Sequence, residues 1–266
     1  MGVSSDKQLG LDKALEMAAQ NGYFYGIELL ISQGANAQFN DSLALALAAA
    51  DGHVDCVELL LPFSNPKADG SRALRWAAFS GHADCVKLLI PVSNPAGNGM
   101  DTPLYMAADN GHVECVKLLI EASDPKLDDS TALRTAAFRG HVECVKLLVP
   151  VSEPSARDFD ALRLAAVTGN AEVFRLLLVA NAPPSTKKHS LFSQVLAGGH
   201  AEIASIMLEN EPHLLDGIDM PQCLREAKDR GHYTLSALLL SAMEKNELSG
   251  DLDRLLNARP LPSARL

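Results

Sequence analysis

The sequence predicts an all-α fold of about eight stacked helix–turn–helix units. Three observations carry that reading. The pattern x-A-L-x-x-A-A-x-x-G-H-x-x-C-V-x-L-L returns along almost the whole chain, most clearly at 73–90, 103–120 and 132–149. A glycine marks the beat at Gly22, Gly52, Gly81, Gly111, Gly140, Gly169, Gly199 and Gly231, in steps of 30, 29, 30, 29, 29, 30 and 32 residues. Composition is 47% hydrophobic but only 5% aromatic, which suits an alanine–leucine helical core. A fixed period in this range marks units that bury their apolar faces only by stacking on neighbours.

The elements of one unit follow in order, taking residues 73–95 as the example. Leu74, Ala77 and Ala78 are spaced i, i+3 and i+4, one face of a first helix. Alanine there lets backbones approach closely. Gly81 follows, where the chain reverses through the left-handed conformation that glycine tolerates. The second helix is expected to bury a stripe of Cys85, Leu88 and Leu89, with Asp84 and Lys87 outward. Asp84 in the first turn and Lys87 later suit the helix dipole. Pro91 stops the helix, and Ser93-Asn94-Pro95 favours a turn. At the N-terminus, Asp12 is expected to cap the first helix of a polar first unit. At the C-terminus, residues 250–256 are expected to form a short helix over the eighth unit, followed by a tail that Pro260 and Pro262 keep irregular. Lys187-Lys188-His189 reads as a small basic loop. The division expected is a lead-in over 1–11, the repeat domain over 12–245, and a capping helix with mobile tail over 246–266.

One unit carries a recognisable signature. Residues 102–112 read T-P-L-Y-M-A-A-D-N-G-H, and V-E-C-V-K-L-L-I follows. This resembles the ankyrin repeat, T-P-L-H-x-A-A-x-x-G-H, with Tyr105 in place of the histidine. Eight units in phase make the resemblance specific. Ankyrin units usually run about 33 residues, and these are shorter. The missing residues fall where that family has a projecting β-hairpin finger. Here the segment is P-F-S-N-P at 62–66, P-V-S-N-P at 91–95, A-S-D-P at 122–125 and V-S-E-P at 151–154. The expectation is an ankyrin-repeat solenoid with shortened β-turn fingers.

Composition excludes several classes. The longest apolar run, Leu43–Ala50, is eight residues, far below the roughly 20 that span a bilayer. The N-terminus lacks the basic and apolar regions of a cleaved signal, and Asp6 stands where a myristoylation motif needs Ser or Thr. Residues 1–133 hold 17 acidic and 8 basic side chains, a net of −9 out of −10 for the whole chain. That argues against a nucleic-acid partner, which would meet a basic face. It suits solubility or the steering of a basic partner.

The chemistry-bearing residues read as packing. Cys56, Cys85, Cys115 and Cys144 share one repeat position on the apolar stripe, and stacking separates them by about 10 Å, beyond the ~7 Å reach of a disulfide. Cys223 is expected in the core as well. Free buried thiols imply a reducing, cytoplasmic setting, or export into a host cell by a specialised system. The four His-x-x-Cys pairs, beginning at His53, His82, His112 and His141, do not converge as a zinc site requires. In the ankyrin family that histidine bonds near the inter-helix turn. No phosphate loop, dinucleotide fingerprint, zinc-protease helix or nucleophile elbow is present. The chain is read as non-enzymatic, with no cofactor, no metal and no membrane.

Recognition is expected where the units differ. The positions after the repeated leucine and before the glycine vary while the core positions repeat. In the family these lie on the concave face. They hold Arg75, Trp76, Phe79, Tyr105, Met106, Asp109, Arg134, Phe138, Arg139 and Arg163. Trp, Tyr and Arg dominate interface energetics. The competing structural role is that the arginines bond neighbouring turns and Trp76 is covered by adjacent units. The functional reading is a non-catalytic module that binds another protein, a basic one on the charge argument, with a monomer preferred. Two uses fit it: a bacterial effector engaging host proteins, or an immunity protein that masks a basic toxin. A third reading makes it the substrate-recruiting part of a larger enzyme.

Overall fold

A computed structural model describes residues 5–96, 101–180, 185–215 and 218–257. Among these residues every regular element is helical, and no strand occurs. The chain divides into two compact units, Met1–Pro183 and Pro184–Leu266.

The first unit contains six helix pairs. They are α1 (Ser5–Gln20) with α2 (Phe24–Ser32), α3 (Phe39–Ala50) with α4 (Val54–Leu60), α5 (Ala68–Ser80) with α6 (Ala83–Leu89), α7 (Pro103–Asp109) with α8 (Val113–Ala122), α9 (Leu127–Arg139) with α10 (Val142–Leu148), and α11 (Ala156–Thr168) with α12 (Ala171–Ala180). Each first helix packs on the first helix of the next pair, and each second helix on the next second helix. The first-helix layer is the more closely packed, as its alanines allow. The second unit contains α13 (Ser185–Gly198) with α14 (Ala201–Asn210), and α15 (Met220–Asp229) with α16 (Tyr233–Asn257). The architecture is an all-α repeat solenoid. No helix among the described residues is long and apolar enough to cross a membrane.

The core repeats with the sequence. Leu45, Leu74, Leu104, Leu133 and Leu162 are buried, as are the paired alanines three and four residues on. The second-helix stripe differs from the expected one. Cys85, Val86 and Leu89 are buried, whereas Leu88 is half-buried. The same holds for Cys115, Val116 and Leu119 against Leu118. A seven-residue helix turns only about twice, so a small rotation selects valine over the first leucine.

Between pairs the chain makes compact turns. Leu61–Phe63 and Ile90–Val92 are single tighter helical turns that carry Pro62 and Pro91. In the following Asx turns, Asn65 Oδ1 accepts from the Lys67 amide at 3.1 Å, and Asp124 Oδ1 from that of Lys126 at 2.9 Å. A hydroxyl ladder then ties each turn to the one before it. Ser93 Oγ donates to Pro66 O at 3.4 Å, Ser123 Oγ to Pro95 O at 3.3 Å, and Ser152 Oγ to Pro125 O at 3.4 Å. The repeated serine and proline therefore link successive units as well as turning the chain.

The first helices are entered through a backbone turn that the repeat pattern does not announce. Residues 40–42, 69–71, 128–130 and 157–159 are all left-handed, with φ from 44° to 65°. Asn, Asp and Gly fill most of these places, the residues that tolerate this region best. The triplet turns its last residue inward in three pairs. Buried Ser42, Ser71 and Ser130 accept hydrogen bonds from the amides of Asn65, Asn94 and Glu153 at 2.8–2.9 Å. The fourth pair enters differently: Thr102 Oγ1 caps α7 by accepting from the Tyr105 amide at 3.1 Å.

The ends also differ from expectation. Asp12 is no cap, because α1 begins seven residues earlier at Ser5. It is buried within the helix and accepts from Gln8 Nε2 at 2.8 Å and the Asn36 amide at 2.7 Å. It thus does for the first turn what Ser42 does for the next. The first pair is not polar outside, since Met17, Tyr23, Tyr25 and Leu29 are exposed. Residues 187–189 lie in α13, not in a loop, and Lys188 pairs with Glu211. Residues 250–256 continue α16 and form no separate helix. The tail over 258–266, with Pro260 and Pro262, lies outside the described residues.

Two variants test these packing assignments. Leu119→Ala is expected to lower unfolding free energy by about 2–5 kcal/mol, and half-buried Leu118→Ala by clearly less; urea titration of both measures the difference. Ser71→Ala leaves the Asn94 amide without its partner and is expected to cost about 1–3 kcal/mol in the same titration.

Candidate functional site

The repeat-specific residues divide into an open hollow and a set of paired arginines. Trp76 and Phe79 stand on α5 and Met106 on α7, at varying positions of their first helices. With Ala50 and Ser80 they line a largely apolar hollow of about 400 Å³ on the first-helix side. Phe79 is exposed, while Trp76 and Met106 are half-buried. Arg72 lies over the Trp76 ring, 5.8 Å from its centroid. Three of the ten candidates are therefore brought together, and the chain's only tryptophan is among them.

Most candidate arginines are held by carboxylates. Arg75 donates to Asp69 O at 2.9 Å and pairs at 3.7 Å with both Asp69 and Asp101. A hydrogen bond from Arg72 and the charge beside it hold the Asp69 carboxyl below its ordinary range. Arg134 Nε donates to Asp160 at 2.8 Å, linking α9 to α11, and Arg163 pairs with the same carboxylate. Burial alone would raise Asp160, but the hydrogen bonds from both arginines outweigh it and leave the carboxyl low. Arg134 thus links two neighbouring first helices, whereas Arg163 and Asp160 share one helix, as do Arg75 and Asp69. Sequence spacing could not show the Arg134 link, because Asp160 occurs at its repeat position only once.

Asp109, Phe138 and Arg139 form a second, more exposed cluster. Arg139 Nε donates to Asp109 at 2.8 Å, and its guanidinium stands 5.8 Å from the Phe138 centroid. The Asp109 hydrogen bond raises the arginine's pKa. Tyr105 is half-buried on α7, next to Met106 in sequence.

The histidines and glycines form the repeat junctions. His53 Nε2 donates to Gln20 O at 3.0 Å, His112 to Phe79 O at 2.8 Å, and His141 to Asp109 O at 3.0 Å. Asn170 Nδ2 takes the same place, donating to Ala137 O and Phe138 O at 3.2 Å. Each ring lies on the preceding unit's glycine: a Cβ on Gly81 would stand 2.5 Å from His112, and one on Gly111 2.7 Å from His141. Those glycines are also left-handed, at φ +85° and +74°.

The five cysteines are free thiols, with Cys56, Cys85, Cys115 and Cys144 buried. Burial, helped by neighbouring acidic charge, pushes Cys85, Cys115 and Cys144 up to about 11. Cys223 is half-buried rather than core. It lines a hollow of about 300 Å³ in the second unit, together with Leu196, Glu226, Arg230 and His232. Among the described residues no three His, Cys, Asp or Glu side chains are grouped as a metal site needs.

Comparison with known proteins agrees with this geometry. The family model for ankyrin repeats (three copies) matches residues 15–98 and 92–158. The chain belongs to the ankyrin-repeat family, whose repeats are protein–protein interaction modules. Among solved structures it is similar to the ankyrin repeat domain of human ASB11, with 28% identity and a TM-score of 0.57 over 64% of this chain and 85% of that one. Comparison with curated protein sequences gave no match.

The thiols give a direct test. At pH 8 a thiol reagent is expected to leave Cys56, Cys85, Cys115 and Cys144 unlabelled until denaturant is added; rapid native labelling of all four would contradict their burial. Unfolded thiols titrate near 9.0 and folded Cys85 near about 11, so the native state keeps protons that the unfolded state loses. Stability is therefore expected to fall as pH rises through that window, and less steeply in Cys85→Ala/Cys115→Ala/Cys144→Ala.

Proposed function

We propose that the chain is a non-catalytic binding module whose first-helix face presents the Trp76–Phe79–Met106 hollow to another protein. The observation that supports this is an apolar hollow built wholly from positions where this repeat array departs from its own pattern. Core positions repeat because stacking requires them, so residues that vary and remain open are free to serve recognition. A preformed hollow on paired helices loses little conformational entropy when filled. Its size suits one or two bulky apolar side chains.

The partner's complementary chemistry follows from charge. Residues 1–133 carry a net of −9, and Arg72 and Arg75 on the helix that carries Trp76 are already paired with carboxylates. That supports a basic partner segment with an apolar anchor. Of the finer readings, an inhibitor that masks a basic protein draws on the acidic surface, and an effector engaging host proteins draws only on the hollow. Tyr105, Asp109, Phe138, Arg139 and exposed Arg163 extend the proposed surface, whereas Arg75 and Arg134 are taken up largely by carboxylate partners.

A random-peptide display library selected on the full chain tests this reading. Enriched peptides are expected to carry a bulky apolar residue beside Lys or Arg, and to shift the fluorescence of the sole tryptophan. Phe79→Ala with Met106→Ala is expected to weaken them by about tenfold or more, the scale of a hot-spot residue. Unchanged affinity in a folded double variant would move the binding surface elsewhere.

A further inference from the structure

We infer, on the reading that the Trp76 hollow binds a basic segment, that Arg72 holds the place of an arginine which the partner brings. The partner's guanidinium takes over Trp76 and Asp69 as its apolar neighbour fills the hollow, and Arg72 is displaced to water.

The clamp is visible with the chain's own arginine in it. Arg72 lies one turn before Trp76 on α5, and its Cζ stands 5.8 Å from the indole centroid. Its Nε donates to Asp69 Oδ2 at 2.6 Å. An aromatic face under the guanidinium and a carboxylate at its edge suit arginine better than lysine. Trp76 belongs both to this clamp and to the hollow, so a ligand of two adjacent residues can engage the two together.

Stacking does not call for Arg72. Its place, nine residues before the repeat glycine, holds Lys13, Leu43, Thr102, Thr131 and Asp160 in the other pairs of the first unit. Its bond toward the preceding pair, to Asn40 O, is long at 3.5 Å. Arg75 is tied to both Asp69 and Asp101 and keeps its place when Arg72 leaves. Asp69 is 46% exposed, so a second guanidinium can approach it from water. Exchanging one guanidinium for another leaves the charge of the clamp unchanged. An ion pair open to water on its carboxylate side is also weak, which keeps the exchange easy. Arg72 thus sets a threshold. A basic segment without an apolar anchor gains little by displacing it, whereas an anchored arginine does gain. Apparent affinity is lowered by the fraction of molecules in which Arg72 covers the ring.

The probes are N-acetyl-phenylalanyl-arginine amide and its lysine counterpart. Each is titrated to about 10 mM against the full chain and followed by the fluorescence of the one tryptophan. Arg72→Ala is expected to tighten the arginine probe about threefold or more, and the lysine probe clearly less. Asp69→Asn keeps a side chain that tolerates the left-handed backbone there, and is expected to weaken the arginine probe about fivefold. Acrylamide quenching of Trp76 is expected to rise in Arg72→Ala, because the ring loses its cover. Thermal melts verify that both variants are folded. Arginine binding that Arg72→Ala leaves unchanged or weakens, equal gains for the two probes, or indifference to Asp69→Asn would each overturn the clamp. If Phe79→Ala/Met106→Ala still weakens the probe in those cases, the hollow stands as the binding surface without it. No saturable shift with either chain would overturn the clamp and the hollow together.

Discussion

A glycine in the left-handed conformation lies under the ring of the next repeat's histidine, and much of the first unit's geometry depends on that contact. The glycine must lack a Cβ twice over: its φ is positive, and the ring occupies the space a methyl would need. The imidazole then bonds a carbonyl at the end of the previous first helix. One residue pair thus sets the turn within a unit and the spacing between units. The hydroxyl ladder at the opposite end of the helices repeats the arrangement, so neighbouring pairs such as α5–α6 and α7–α8 are held to each other at both ends. Between these two rows the alanines and leucines pack at a distance already fixed.

This division explains why so much was legible in the sequence. Gly81, His112, Ala77 and Cys85 recur because stacking is the same problem at each junction. Period, helix pairing, free thiols and the compact turns between pairs among the described residues all follow from that recurrence. Three things did not follow. Val86 replaces Leu88 in the core because helix rotation is set by the neighbours, and the heptapeptide pattern admits either leucine. Ser71 and Asp12 look like surface or cap residues, but a left-handed triplet or an earlier helix start turns them inward. The pairing of Arg134 and Arg163 with one carboxylate is also hidden, because Asp160 occurs in only one repeat. Repetition reveals what is shared, and single ion pairs are by nature unshared.

The candidate site shows the same contrast from the other side. Trp76, Phe79 and Met106 break the pattern, and the fold brings those three into one hollow. Phe138 breaks it too, but lies two repeats on with Arg139 against its ring. Departure from the repeat therefore identifies residues released from the packing problem. It does not by itself distinguish those facing a common partner from those satisfied within the chain.

The bonds that join adjacent units run between residues 23 to 33 positions apart and reach no farther than the next pair. Each junction consequently speaks only to its two sides. Excising one whole period, for instance residues 53–81, would bring His82 to the place of His53 over Gly22 and Asn94 to the place of Asn65 beside Ser42. The molecule is thus an array whose length can change in whole steps without rewriting any interface. Gain or loss of a repeat alters how much surface is displayed and leaves the grammar of the joints intact.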